Sequence, residues 1–366
     1  MGMSGAMKMM FGIYRERHLN RYAPAILLVM AAIAGVSGCS LPAKAQIDYR
    51  YSGQFVWPGP PEKPRVQYLW SLYSFVPEGG NISEYINQDE GGSDLGDLPY
   101  MLKPFGVYAG KNGNLYIVDQ GIPRVSVINL KTREIIHLGF DGIGKLLMPI
   151  GIAVDRTGRM YVTDSEAARV KIFDPSGTFS GYLGGEEFFR RPTGIAIDEN
   201  TGRIIVLDTV EHKAHVFDAA GSLLFSFGKR GNGDGEFNYP THIAVGRDGR
   251  IYVNDAMNFR IQIFDRDGKF ITVFGKLGDA YGDIEKAKGI AVDTFGHIYV
   301  VDTMQEMIKI FDDKGQLLLF FGGQGRAPGM FSMPAGISID DQNTIFIADM
   351  YNQKIQVFKL IEENVR

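Results

Sequence analysis

The chain has 366 residues, 45% hydrophobic and 22% charged, a globular composition with enough apolar material for a large core. A single cysteine, Cys39, excludes internal disulfides, a CxxCH haem site and a cysteine-based zinc site. The formal charge of −4 gives nucleic acid no reason to bind.

Residues 1–38 fall into a basic region with Lys8, Arg15, Arg17 and Arg21, an apolar run from Ala23 to Val36, and two small residues. At about 1.5 Å per residue the run makes a helix of roughly 21 Å, short of a hydrocarbon core of about 30 Å. The pattern predicts a signal peptide rather than a membrane span. Its end, Val36-Ser37-Gly38-Cys39, resembles the lipobox of bacterial lipoproteins. That resemblance implies cleavage before Cys39, acylation of its thiol (palmitate and similar chains), and anchoring to the lipid bilayer of a bacterial cell envelope. Ser40 follows the cysteine, so the family rule for inner-membrane retention does not apply and the outer membrane is expected, its side left open. A plain signal peptide cut near Ala43 or Ala45 is the alternative. Loss of residues 1–38 removes four basic residues and Glu16, taking the formal charge from −4 to −7.

Residues 39–64 contain Trp57-Pro-Gly-Pro-Pro-Glu-Lys-Pro64, which predicts an extended, semi-rigid spacer between lipid and folded domain. The run Arg65 to Phe75 has strand composition. Residues 76–102 carry Glu78, Glu84, Asp89, Glu90, Asp94 and Asp97 and no Lys or Arg, an acidic insert expected to be a lid or disordered.

From residue 104 the chain repeats itself. The motif Pro-x-Gly-Ile-Ala-Val-Asp recurs from Pro104, Pro149, Pro192, Pro240, Ala287 and Pro334, at spacings of 45, 43, 48, 47 and 47 residues. Each copy reads as four short β runs joined by tight turns, the first apolar throughout and the third alternating. A lone four-stranded sheet cannot bury both faces, and radial closure of six leaves no exposed end. The sixth copy lacks its fourth run. We therefore expect an all-β, six-bladed β-propeller over residues 65–366, with the run around Trp70 completing the last blade.

The copies resemble NHL repeats, on Pro-x-Gly-Ile-Ala-Val-Asp, Ile-Tyr-Val-x-Asp, Arg260 to Asp265, and the linker Gly231-Asn-Gly-Asp-Gly-Glu-Phe237. Asp119, Asp164, Asp208, Asp255, Asp302 and Asp349 end the second run. Five residues later stand Arg124, Arg169, Lys213, Arg260, Met307 and Lys354. A recurrent pair is read as structural: the carboxylate caps loop N–H groups and pairs with the cation across the hairpin.

A site must break the sixfold pattern. His242 replaces the motif glycine in the fourth copy, and Lys288 stands where the others have Phe105, Ile150, Thr193, Thr241 and Ala335. His242, Lys288, Glu211, Tyr351 and Thr193 form the candidate ligand or partner face, with an imidazole merely bonded to a neighbouring loop as the structural alternative. Amidating lyases similar to NHL propellers hold zinc with several inward histidines, and only His242 occupies a candidate slot here. Calcium-dependent lactonase propellers need oxygen ligands that Gly-Ile-Ala-Val strands lack. No metal or cofactor is therefore expected, and the RNA binding of animal NHL propellers does not transfer to an acidic chain. The resulting expectation is a non-catalytic platform for envelope or surface proteins. The alternatives are a hydrolase or lyase at His242 and a small-ligand sensor.

Overall fold

Seven Asp-led turns fix the strand lengths. In Asp155-Arg-Thr-Gly158, Oδ1 of Asp155 accepts the N–H groups of Thr157 (2.8 Å) and Arg159 (3.0 Å), and Gly158 takes φ 86°. Asp174, Asp218, Asp265, Asp293, Asp312 and Asp340 repeat the arrangement. The carboxylate replaces water at two backbone donors, so the chain reverses without an unpaired amide.

These turns organise the computed structural model, which describes residues 43–76, 98–185 and 187–361. Six antiparallel sheets are arranged as blades, five with four strands and one with six. Their innermost strands are Pro104–Ala109, Pro149–Val154, Pro192–Asp198, Pro240–Val245, Ala287–Val292 and Pro334–Ile339. The face on which these strands begin also carries the loops between second and third strands and is called here the upper face. Hydrophobic clusters lie between blades rather than within them: Val118, Val125 and Leu138 of blade one meet Ile152, Val162 and Phe173 of blade two. Each blade thus buries one face on each neighbour, as closure requires.

The last blade is sealed by the chain's own beginning. β1 (Lys44–Asp48), β2 (Val56–Trp57) and β3 (Val66–Val76) precede the first repeat. β3 pairs antiparallel with Lys354–Leu360, placing Trp70 opposite Val357 and Leu72 opposite Ile355. This is the expected closure, with an addition. β1 and β2 pair with the outer edge of β3, and the Trp57 ring lies 5.8 Å from both Phe321 and Phe358. The semi-rigid spacer expected over residues 39–64 is corrected accordingly: residues 44–57 dock on the last blade, because β3 exposes an edge and an apolar surface that this segment covers.

Two further boundaries shift. Of the expected insert 76–102, Val76 ends β3, Leu98 and Met101 are buried, and Tyr100 bridges Ser74, so these residues belong to the propeller. Residues 77–97, like Cys39 and residues 1–38, lie outside the described residues. Third strands are largely buried rather than half-exposed, and even Lys171 of Arg169–Phe173 is 4% exposed.

Candidate functional site

The motif glycine has a packing reason. A Cβ on Gly106, Gly151, Gly194, Gly289 or Gly336 would stand 2.4–2.9 Å from a backbone oxygen of the next blade. The inner strands converge there, and only glycine admits the approach. At the seam between blades four and five, where His242 stands, Asn254 donates its Nδ2 instead to the carbonyls of Ala287 (2.8 Å) and Lys288 (3.1 Å).

His242 and Lys288 are brought together by Phe105. From blade one, this ring crosses the pore, stacks on the His242 imidazole at 5.9 Å and 30°, and lies 5.0 Å beneath Lys288 Nζ. Ile150, Met333, Ala335 and Met350 pack around it and complete a plug at the upper end of the pore. Burial pushes the imidazole down to about 3, helped by the nearby ammonium, so His242 is neutral. Its Nδ1 is enclosed with no hydrogen-bond partner, although part of the residue keeps some surface. Burial likewise pushes Lys288 down to about 8, and the positive charge of Lys286 adds to the effect.

The other candidates do not join this pair. Thr193 is buried, its hydroxyl 2.8 Å from that of Thr209, which in turn donates to the Pro240 carbonyl. Ser165 and Thr303 make the same bond to Pro192 and Pro334, so this is a seam between blades. Glu211 faces His215 (3.4 Å) and Arg190 (4.0 Å). Tyr351 is 57% exposed on the upper face.

The repeated aspartates are fully buried and collect loop N–H groups; Asp119 accepts four, from Leu102, Lys103, Gly121 and Ile122. The cation is placed differently from the sequence expectation. In blades two and five it stands seven residues after the aspartate, as Lys171 (2.8 Å) and Lys309 (3.0 Å). In blades four and six that slot holds Gln262 and Gln356, and Arg260 (2.8 Å) and Lys354 (3.9 Å) supply charge from five residues on. Arg169 lies over the Tyr182 ring at 4.9 Å, and Arg124 donates to the Leu98 and Tyr100 carbonyls. The seven-residue slot was visible as Lys or Gln in Arg-Val-Lys-Ile-Phe and Arg-Ile-Gln-Ile-Phe. Met307 breaks the shorter pattern because Lys309 serves instead.

Two features escaped sequence reasoning. Val210, Met257, Met304 and Tyr351 occupy one position, two residues after the aspartate, in blades three to six. They are 48%, 54%, 50% and 57% exposed. In the pore, a cavity of about 820 Å³ is walled by residues such as Ile195, Ile243, Ile290 and Ile337 and opens on the lower face, away from His242. Lys111 pairs there with Glu199 and with Asp341 (3.4 Å), and Arg247 with Asp341 (2.9 Å), tying blades one, three, four and six across the rim. His212 lies in a loop at φ 56° and accepts the Tyr239 N–H at 3.1 Å. Among the described residues no group of three or more His, Cys, Asp or Glu is placed to hold a metal ion.

The profile of a family described as a 6-bladed beta-propeller matches residues 192–250 and 284–364, and that of the NHL repeat matches residues 146–173 and 237–264. The chain is a six-bladed β-propeller with NHL repeats. The propeller is 38% identical over 60 residues to Protein brain tumor of Drosophila melanogaster, covering 16% of this chain and 6% of that one. It thus spans only a small part of that relative's length. Virginiamycin B lyase from Staphylococcus aureus superposes with TM-score 0.52 at 18% identity, over 71% of this chain and 96% of the other. An auxiliary nutrient binding protein from Bacteroides thetaiotaomicron gives TM-score 0.56 at 16% identity, over 73% and 71%. At such identities the likeness to the propeller is one of fold.

Proposed function

We propose that this propeller is a lipid-anchored, non-catalytic interaction platform of a bacterial cell envelope, held through Cys39 and presenting its upper face to protein partners. The observation that carries the reading is the apolar arc of Val210, Met257, Met304 and Tyr351. Blades one and two place Gly121 and Glu166 at that position, so blade packing does not require the arc. Exposed apolar side chains repeated over successive blades favour association. Co-purification through a C-terminal tag tests it. Partners recovered with the native chain are lost with Met257→Ser, Met304→Ser and Tyr351→Ser together, at unchanged melting temperature; partners retained by that variant refute the platform. Cys39→Ala releases the chain from membranes.

A hydrolase or lyase centred on His242 draws little support from an imidazole that stacks on Phe105 and whose Nδ1 meets no orienting carboxylate among the described residues. Small-ligand binding draws more: a pore cavity of about 820 Å³ is of the size that holds drug-sized molecules. Thermal stabilisation by a member of a metabolite library, abolished by Ile243→Trp, is the result that reading requires.

A further inference from the structure

We propose that the upper face takes an acidic peptide segment of its partner, the carboxylates seated on Lys103, Arg191, Lys286 and Lys288 and the apolar side chains between them. The inference rests on the platform reading and names the chemistry of the partner.

The residue immediately before each inner strand is, in blade order, Lys103, Met148, Arg191, Tyr239, Lys286 and Met333. Cation and apolar side chain alternate around the pore. All three cations are exposed; Met148 and Tyr239 are 39% and 42% exposed. The backbone beneath is tied down. The N–H groups of Lys103, Met148, Arg191 and Lys286 donate to Asp119, Asp164, Asp208 and Asp302. Those of Tyr239 and Met333, at φ 53° and 52°, donate to His212 and Glu306 of the preceding blades. A ring built on backbone held this way presents its side chains at set positions, which lowers the entropy lost on binding.

Within the ring, Lys288 rests on the Phe105 face, and among the described residues no carboxylate pairs with any of the four cations. Four unpaired cations on a chain of net charge −4 create a local field opposite in sign to the whole molecule. A bare phosphate would satisfy the cations and leave Met148, Tyr239 and Met333 uncovered. A segment in which carboxylates alternate with apolar side chains satisfies both.

The test uses the full chain and three labelled, blocked peptides: alternating aspartate and leucine, alternating lysine and leucine, and alternating aspartate and serine. The aspartate–leucine peptide is expected to bind, with affinity falling as salt rises, and the other two to bind at least about tenfold more weakly. Lys103→Glu, Arg191→Glu and Lys286→Glu together weaken it about tenfold or more, and the corresponding Gln variant, isosteric with Glu but uncharged, weakens it less. No binding of the aspartate–leucine peptide, binding indifferent to charge reversal in a folded variant, or equal competition by inorganic phosphate overturns the proposal. If charge reversal leaves the co-purified partners in place while replacement of Met257, Met304 and Tyr351 removes them, the acidic peptide is wrong and the platform stands.

Discussion

Tyr239 turns its backbone N–H away from Asp255 of its own blade and donates it, at 3.1 Å, to Nδ1 of His212 in the blade before. Asp255 takes the N–H of Asn238 instead. The two rings also meet edge-on at 4.7 Å. One imidazole therefore sets both the backbone and the side chain of a residue in the upper ring. His212→Leu, which strands this N–H, is expected to cost about 1–3 kcal/mol in denaturant unfolding. His212→Asn, which keeps an acceptor and tolerates the left-handed backbone, should cost less.

The position of the compensating cation makes a sharp contrast within blade two. Lys171→Ala leaves the buried Asp164 carboxylate without its charge partner and is expected to cost about 3–5 kcal/mol. Arg169→Ala, at the position that sequence spacing favoured, removes a ring contact with Tyr182 while Lys171 stays on Asp164, and should cost less than Lys171→Ala. Equal losses in a urea titration of the two variants contradict the assignment.

Trp57 distinguishes a docked segment from a free spacer. Its ring covers Gly329, where an added Cβ would meet it at 2.3 Å, and it touches Phe321 and Phe358. Trp57→Ala is expected to lower stability by about 2–4 kcal/mol, below the value for a fully enclosed tryptophan because the ring is only partly buried. A loose tether predicts no change in melting temperature.

Acid stability should report on His242. Burial holds its folded pKa at about 3, against 6.5 for the model group, so between those values the unfolded chain takes up a proton that the folded chain refuses. The contribution of this group is full above pH 6.5 and is lost as pH falls toward 3. His242→Gln should flatten the acid limb of the melting profile relative to the native chain. His137, held down to about 3 by the same cause, leaves part of the slope in place.

Lys288 gives the opposite limb. Its folded pKa of about 8 lies below the ordinary 10.5, so the cost of burying an ammonium is complete below pH 8 and fades as pH rises toward 10.5. Lys288→Met should stabilise the protein by about 1–3 kcal/mol at neutral pH, with the gain vanishing at alkaline pH. A charge that weakens the fold and touches only an aromatic ring is a natural concession to binding.

The architecture was legible because it is repeated: six copies of one motif, Asp-Gly turns and a missing last strand leave little freedom. Closure by the segment around Trp70 followed from counting strands. The docking of residues 44–57 was hidden, since Pro58 to Pro64 carries the composition of a spacer and only the third dimension shows the edge it covers. The candidate site was half legible. His242 and Lys288 stood out by breaking symmetry, but Phe105, which joins them from across the pore, sits in a slot with no sequence rule. The alternation from Lys103 to Met333 could have been read directly from the residues before each proline.

The pairing of β3 with Lys354–Leu360 joins two strands that leave the ribosome on either side of all six repeats' inner strands. Until Lys354–Leu360 has left the ribosome, β3 waits with an unmatched hydrogen-bonding edge, exposed to chaperones and to other nascent chains. Long-range pairing of this kind slows folding, yet it also means that a polypeptide cut short before Lys354 leaves β3 without its partner and the ring open. Synthesis of every blade between the two strands is thereby checked by the geometry of the product itself.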